Sequence, residues 1–95
     1  MFDKMKTLNE LRKIQKELKK VEIEVEAGDG AVKLVINGEQ KVQKVMIDGS
    51  KVDPSDITRL EKWLESAFNQ AITKSQQEAA EKMKSVAGGL GLPGL

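Results

Sequence analysis

VEIEVEAGDGAVKLVINGEQKVQKVMID, residues 21–48, is the stretch that decides the fold. Val21, Ile23, Val25 and Ala27 alternate with Glu22, Glu24 and Glu26. A period of two with one charged side is the pattern of a half-buried strand. Asp29-Gly30 follows, a strong tight-turn dipeptide. The next run places Val32, Leu34 and Ile36 on one face and Lys33, Val35 and Asn37 on the other. Asn37-Gly38 reads as a second turn of the same kind. A third strand over about 40–48 carries Val42, Val45, Met46 and Ile47. Its alternation slips between Val42 and Val45, so either a bulge or burial on both faces near its end is expected. Strand, DG, strand, NG, strand is an antiparallel meander.

Outward from the meander the period changes to that of a helix. Upstream, Phe2, Met5, Leu8, Leu11, Ile14 and Leu18 recur every three or four residues, predicting a helix over 3–20. Leu8, Leu11, Ile14 and Leu18 fall within about 120° of arc. Downstream, Asp53 suits an N-cap, Pro54 a first helical position, and Asp56 lies three residues after that cap. Ile57, Leu60, Leu64, Ala67, Phe68, Ala71, Ile72, Ser75, Ala79, Met83 and Val86 then share a face, with no Gly or Pro until Gly88-Gly89. This predicts a helix over 54–87, ~50 Å long, and a frayed Gly/Pro-rich tail over 88–95. The fold class is therefore α+β: a two-layer α-β-β-β-α protomer in one domain, residues 1–95.

A strand of eight residues spans only ~27 Å, so the long helix should overhang its sheet while keeping an apolar stripe. Ala67, Ala71, Ser75 and Ala79 also form an i+4 ridge of small residues, which lets another helix approach closely. A chain of this length has a marginal core on its own. An intertwined or tightly packed homodimer is expected, with Ala67, Phe68, Ala71, Ser75, Ala79 and Met83 at its interface.

Composition excludes much chemistry. The 95 residues contain no Cys and no His. Disulfides, zinc–thiolate sites and thiol or Ser–His catalysis are therefore ruled out. Three aromatics, Phe2, Trp63 and Phe68, are too few for a base-stacking platform. Asp48, Asp53 and Asp56 surround a turn but lack the spacing of a calcium loop, and turn and cap roles account for them better. Trp63 reads as a core or interface anchor. No acid–base constellation stands out, so no enzyme, cofactor or metal is expected. The charged N-terminus has no apolar run of a secretory signal, and no segment approaches a membrane span. A cytoplasmic protein is expected.

The formal net charge is only +1, yet it is unevenly spread. Residues 1–20 hold seven basic against three acidic residues; residues 21–53 hold four against seven; residues 54–95 hold five of each. On the first helix Lys6, Asn9, Lys13, Lys16 and Lys20 form a stripe opposite Leu11 and Leu18, with Arg12 and Lys19 on one flank and Glu10 and Glu17 on the other. A row of cations along a helix suits phosphate neutralisation, which reads no sequence. The candidate contacts are Lys6, Arg12, Lys13, Lys16, Lys19 and Lys20. Lys74, Lys82 and Lys84 extend the basic surface on the long helix, diluted by Glu78 and Glu81. The Glu22/Glu24/Glu26 row either pairs with Lys33 and Lys44 or is a solvated strand face.

Residues 27–48, AGDGAVKLVINGEQKVQKVMID, resemble the signature of the YbaB/EbfC family of bacterial nucleoid-associated proteins. The resemblance rests on Ala27, Gly28, Gly30, Val32, Asn37, Gly38, Val45, Ile47 and Asp48, with Leu34 where Val is common. Ala67, Asn69 and Ala71 resemble the family's A-x-N-x-A helix, and GGLGLPGL is similar to its tails. The first helix departs from the family's Gly-rich start and Gln/Met-rich helix, being rich in Lys and Leu. The resemblance implies a tight homodimer in the nucleoid that binds double-stranded DNA with little sequence preference and has no catalytic residues. The alternative is a protein–protein adaptor beside recombination or replication machinery, docking through Met83, Val86, Leu90 and Leu92.

Overall fold

The meander forms because each strand has one apolar side to bury. A computed structural model describes residues 4–89, with side chains through Lys84. Its elements are α1 (Lys4–Lys20), β1 (Ile23–Ala27), β2 (Val32–Ile36), β3 (Val42–Ile47), a 3-10 turn (Gly49–Lys51) and α2 (Ile57–Gly89). The sheet is antiparallel in the order β1-β2-β3. The α-β-β-β-α order and the α+β class are as the residue pattern predicts. The tail beyond Gly89 lies outside the described residues.

On β2 the alternation reads directly as burial. Val32, Leu34 and Ile36 are buried, and Lys33 and Val35 are half-buried. Val25 of β1 joins them, and α2 closes this layer with Ala67 and Ala71. Ile23, Ala27, Leu60, Trp63, Leu64 and Phe68 pack around that core. The slip in β3 is a bulge: Val35 pairs with Lys44 and Ile36 with Val42, leaving Gln43 as the extra residue. The bulge keeps Val42, Val45 and Ile47 opposite the buried residues of β2, on the helix-covered face. Yet they stay 43%, 44% and 50% exposed. Among the described residues α2 lies over β1 and β2 and does not reach β3.

The two turns differ. Asp29 and Gly30 occupy the centre of the first, with φ of 53° and 85°, closed by Ala31 N–H donating to Gly28 O at 3.1 Å. Gly28 is also left-handed, φ 64°, and a Cβ there would stand 2.5 Å from the Trp63 ring. Gly28→Ala should therefore destabilise the fold by about 2–4 kcal/mol, combining backbone strain with overpacking. Urea unfolding followed by the fluorescence of Trp63, the sole Trp, measures it. In the second turn the positive φ falls on Gln40, at 64°, and not on Asn37 or Gly38. This corrects the expectation of a second turn of the Asp-Gly kind. Asn37 instead works through its side chain, Oδ1 accepting from Glu39 N–H at 2.9 Å and Lys41 N–H at 3.0 Å.

The start of α2 is likewise corrected. Its cap is Asp56, whose Oδ1 accepts from Arg59 N–H at 3.2 Å, so the helix begins at Ile57. Asp53 accepts from Ser55 N–H and Oγ at 2.9 and 2.7 Å, which closes a separate turn around Pro54. At the other end the helix continues through Gly89. Glycine weakens a helix by about 1 kcal/mol without blocking it, as proline would.

The molecule measures 64 × 24 × 15 Å, with a radius of gyration of 17.9 Å, against roughly 12 Å for a compact globule of this length. The 33 residues of α2 reach ~50 Å, far past the sheet. Part of that overhang is covered by α1, whose buried Ile14 and Leu18 pack with Leu11 against Ala79.

Candidate nucleic-acid interface

Good helix formers dominate α1, and its last turn ends in Lys19 and Lys20, the favourable sign for the helix dipole. Ile14 and Leu18 root one face on α2. This turns the opposite face outward. Lys6, Arg12, Lys13, Lys16, Lys19 and Lys20 are all exposed. Lys6 to Lys20 spans ~21 Å along the axis. Neighbouring cations three or four residues apart lie ~5–6 Å from one another. From Arg12 to Lys20 that is a continuous positive row facing solvent, with Lys6 set ~10 Å beyond it across Asn9.

Two acidic residues, Glu17 beside the row and Glu78 of α2, are engaged with Lys82 of α2. Glu17 lies 3.7 Å from Lys82 Nζ, which also lies 4.0 Å from Glu78. Neither of these two pairs uses a cation of the row. Lys82 is thus committed to joining α2 with α1, while Lys74 and Lys84 remain exposed. The Glu22, Glu24 and Glu26 side chains are exposed on the sheet, and no ion pair to Lys33 or Lys44 forms among the described residues. This is the solvated strand face.

The expected interface residues separate into two groups. Ala67, Ala71 and Ser75 are fully buried by their own protomer. The small-residue ridge is filled by the sheet and the second turn, leaving none of these three side chains for a partner. Phe68 and Ala79 are half-buried, and Met83 is 45% exposed. The apolar surface missed in the sequence is on β3, where Val42, Val45 and Ile47 are bare; Ile57 and Ile72 of α2 are exposed as well, at 50% and 39%.

Trp63 sits between Gly28 and Arg59, whose guanidinium lies 5.1 Å from the ring centroid. It anchors the first turn to α2. Asp48 accepts from Ser50 N–H at 3.0 Å and Ser50 Oγ at 2.6 Å, capping the 3-10 turn. The Ser50 hydrogen bonds hold the Asp48 carboxyl below its ordinary pKa, and those of Ser55 do the same for Asp53. Both carboxylates serve turns. No helix among the described residues is long and apolar enough to cross a membrane.

An elongated α+β protomer with a cationic helix facing solvent defines a class of small protein suited to contacting polyanions. The chain belongs to the YbaB/EbfC DNA-binding family, whose sequence model matches residues 1–90. A nucleoid-associated protein of Syntrophobacter fumaroxidans is 41% identical over 87 residues, covering 92% of this chain and 79% of the relative. One from Dictyoglomus thermophilum is 38% identical over 96 residues, covering 97% and 92%. The crystal structure of uncharacterized protein HP0035 from Helicobacter pylori shares the fold, with a TM-score of 0.66 at 21% identity over 88% of this chain and 84% of that one.

Proposed function

We propose that this chain is a nucleoid-associated protein of the bacterial cytoplasm that binds duplex DNA as a homodimer, with little sequence preference, through the exposed cations of α1. The observation that carries the reading is the rooting of α1. Its apolar side is spent on α2, and Lys6, Arg12, Lys13, Lys16, Lys19 and Lys20 are left on the outer side. Lysine ammonium groups are compact point charges, suited to phosphate and poor at bidentate base reading. The first helix of the protomer holds one Arg among seven cations, so affinity without sequence choice follows. A second copy is favoured by the bare apolar residues of β3. We place its interface at Val42, Val45 and Ile47, together with Ile57 and Ile72, while Ala67, Ala71 and Ser75 support it from beneath.

The test is duplex binding by fluorescence anisotropy on several unrelated sequences across a salt series. Two helices each engaging four phosphates give a log–log slope of about −7, at −0.9 per phosphate. Affinities on different sequences should agree within about threefold. No binding at low salt, or a slope near zero, refutes the reading.

A further inference from the structure

The C-terminal end of α1 is hydrogen-bonded to the second turn, and one serine of α2 ties that turn down. Leu18 O is among the last four carbonyls of α1, which lack a partner within a regular helix. It accepts from Gly38 N–H at 2.8 Å and from Val21 N–H at 3.3 Å. A Cβ on Gly38 would stand 2.6 Å from Leu18 Cδ2, 3.0 Å from its carbonyl oxygen and 3.1 Å from its Cα. The backbone of α1 therefore rests directly on the second turn, and glycine is what lets it do so. The turn is fixed in its own right by Asn37 Oδ1. Ser75, in the middle of α2, then ties it down: its Oγ donates to Asn37 O at 2.8 Å and accepts from Gln40 N–H at 3.1 Å.

Packing alone does not call for that hydroxyl. Ser75 continues the series Ala67, Ala71, and all three are fully buried. Alanine is the better helix former and carries no polar atom to bury. Both hydrogen bonds of the hydroxyl go to the turn on which α1 rests. Ser75 also marks a division of α2. Ala67 and Ala71 pack on the sheet, whereas Ala79 packs on Ile14 and Leu18 of α1. Other contacts of α1 with α2 include that apolar cluster and the Lys82–Glu17 pair at 3.7 Å. Apolar contacts are non-directional and a partly solvated ion pair is weak. Hydrogen bonds are directional, and here they fix the angle.

We propose that Ser75, acting through Asn37 and Gly38, is a positioning residue. It sets the angle at which α1 leaves the sheet and so the number of phosphates that the cation row engages at once. This rests on the reading of α1 as the DNA-contacting helix. Cations neutralise phosphates together only if the helix that bears them is held in place.

Ser75→Ala in the full chain tests it, read by hydrogen exchange and by the salt dependence of duplex binding. The dimer mass should be unchanged. Amides at residues 38–40 and in the last turn of α1 should exchange faster. The log–log slope should become shallower by about 2, the equivalent of two phosphates, and affinity near 0.1 M salt should fall roughly sixtyfold. A purely structural role would lower stability and leave the slope alone. Gly38→Ala gives a second route, since its Cβ wedges against Leu18 while Ser75 keeps its bonds; the same loss of slope is expected. A folded variant of either kind with the parental slope overturns the proposal. So does loss of cooperative folding in both, which would make the joint a folding element. If the parent protein shows no salt-dependent duplex binding, the DNA reading itself fails; exchange in α1 still reports whether Ser75 holds the helix.

Discussion

Replacing Lys6, Lys13, Lys16 and Lys20 together with glutamate is expected to weaken duplex binding by at least about a thousandfold at low salt, with the protomer folded. The magnitude follows from the electrostatics. Proteins making 6–10 phosphate contacts lose about 10³–10⁵ in affinity when salt merely screens them. Reversal does more than screen, because each new carboxylate repels the phosphate that its lysine attracted. The fold should tolerate it. All four side chains are exposed, whereas the anchoring residues are Ile14 and Leu18. Surface substitutions usually change stability by within about 0.5 kcal/mol each. Losing Lys20 from the last turn costs a further 0.3–1 kcal/mol or so through the helix dipole. Circular dichroism and light scattering check fold and assembly, and anisotropy checks binding. A control reverses Lys44 and Lys62, two exposed cations outside α1. It should bind within about threefold of the parent. Equal loss in both variants would mean that net charge matters and the α1 row does not.

The outward face of α1 is legible in the sequence because both of its stripes are local. Period alone puts Leu11, Ile14 and Leu18 opposite Lys13, Lys16 and Lys20, and the structure keeps them so. The buried face of β2 is legible for the same reason. The partner of a face is a different matter. Ala67, Ala71 and Ser75 look ready for another helix, because small residues on an i+4 ridge permit any close neighbour, a sheet included. Here the neighbour is the protomer's own β1 and β2 and the second turn. The converse holds on β3. Val42, Val45 and Ile47 alternate as core residues do, and nothing in a strand's pattern tells whether a helix reaches it. One helix over three strands covers two, so the third is left bare. Gly38 is a third case. Next to Asn37 it reads as a turn glycine, whereas its hydrogen makes room for Leu18, 20 positions upstream in sequence. A contact of that range leaves no local signal.

The bare strand leads to the second large effect: Val45→Glu should convert the proposed dimer into a folded monomer. Val42, Val45 and Ile47 keep roughly half their surface, as do Ile57 and Met83, with Ile72 close behind. Fully burying a Val or Ile side chain is worth about 1.5–3 kcal/mol. Covering the remaining half of the three β3 residues with Ile57 and Ile72 on both copies therefore yields roughly 10 kcal/mol. Association itself costs about 4–15 kcal/mol. The margin is small, so one carboxylate at the centre of the patch decides the outcome. It is desolvated twice, once per copy, at several kcal/mol each without a partner. The protomer tolerates the same change better, because the side chain at 45 faces water there on an edge strand. Light scattering at about 10 µM should read half the parental mass, with helical dichroism retained. Duplex affinity should drop by about a hundredfold or more, since one α1 row neutralises half as many phosphates. Ala71→Glu makes the informative contrast. That site is fully buried against the sheet, so a carboxylate there should unfold the protomer and not merely separate two folded copies. Met83→Glu separates the remaining possibilities. On the far part of α2 it should leave the dimer intact; if it dissociates the dimer while Val45→Glu does not, the two copies meet along the helical overhang and β3 is free for another partner.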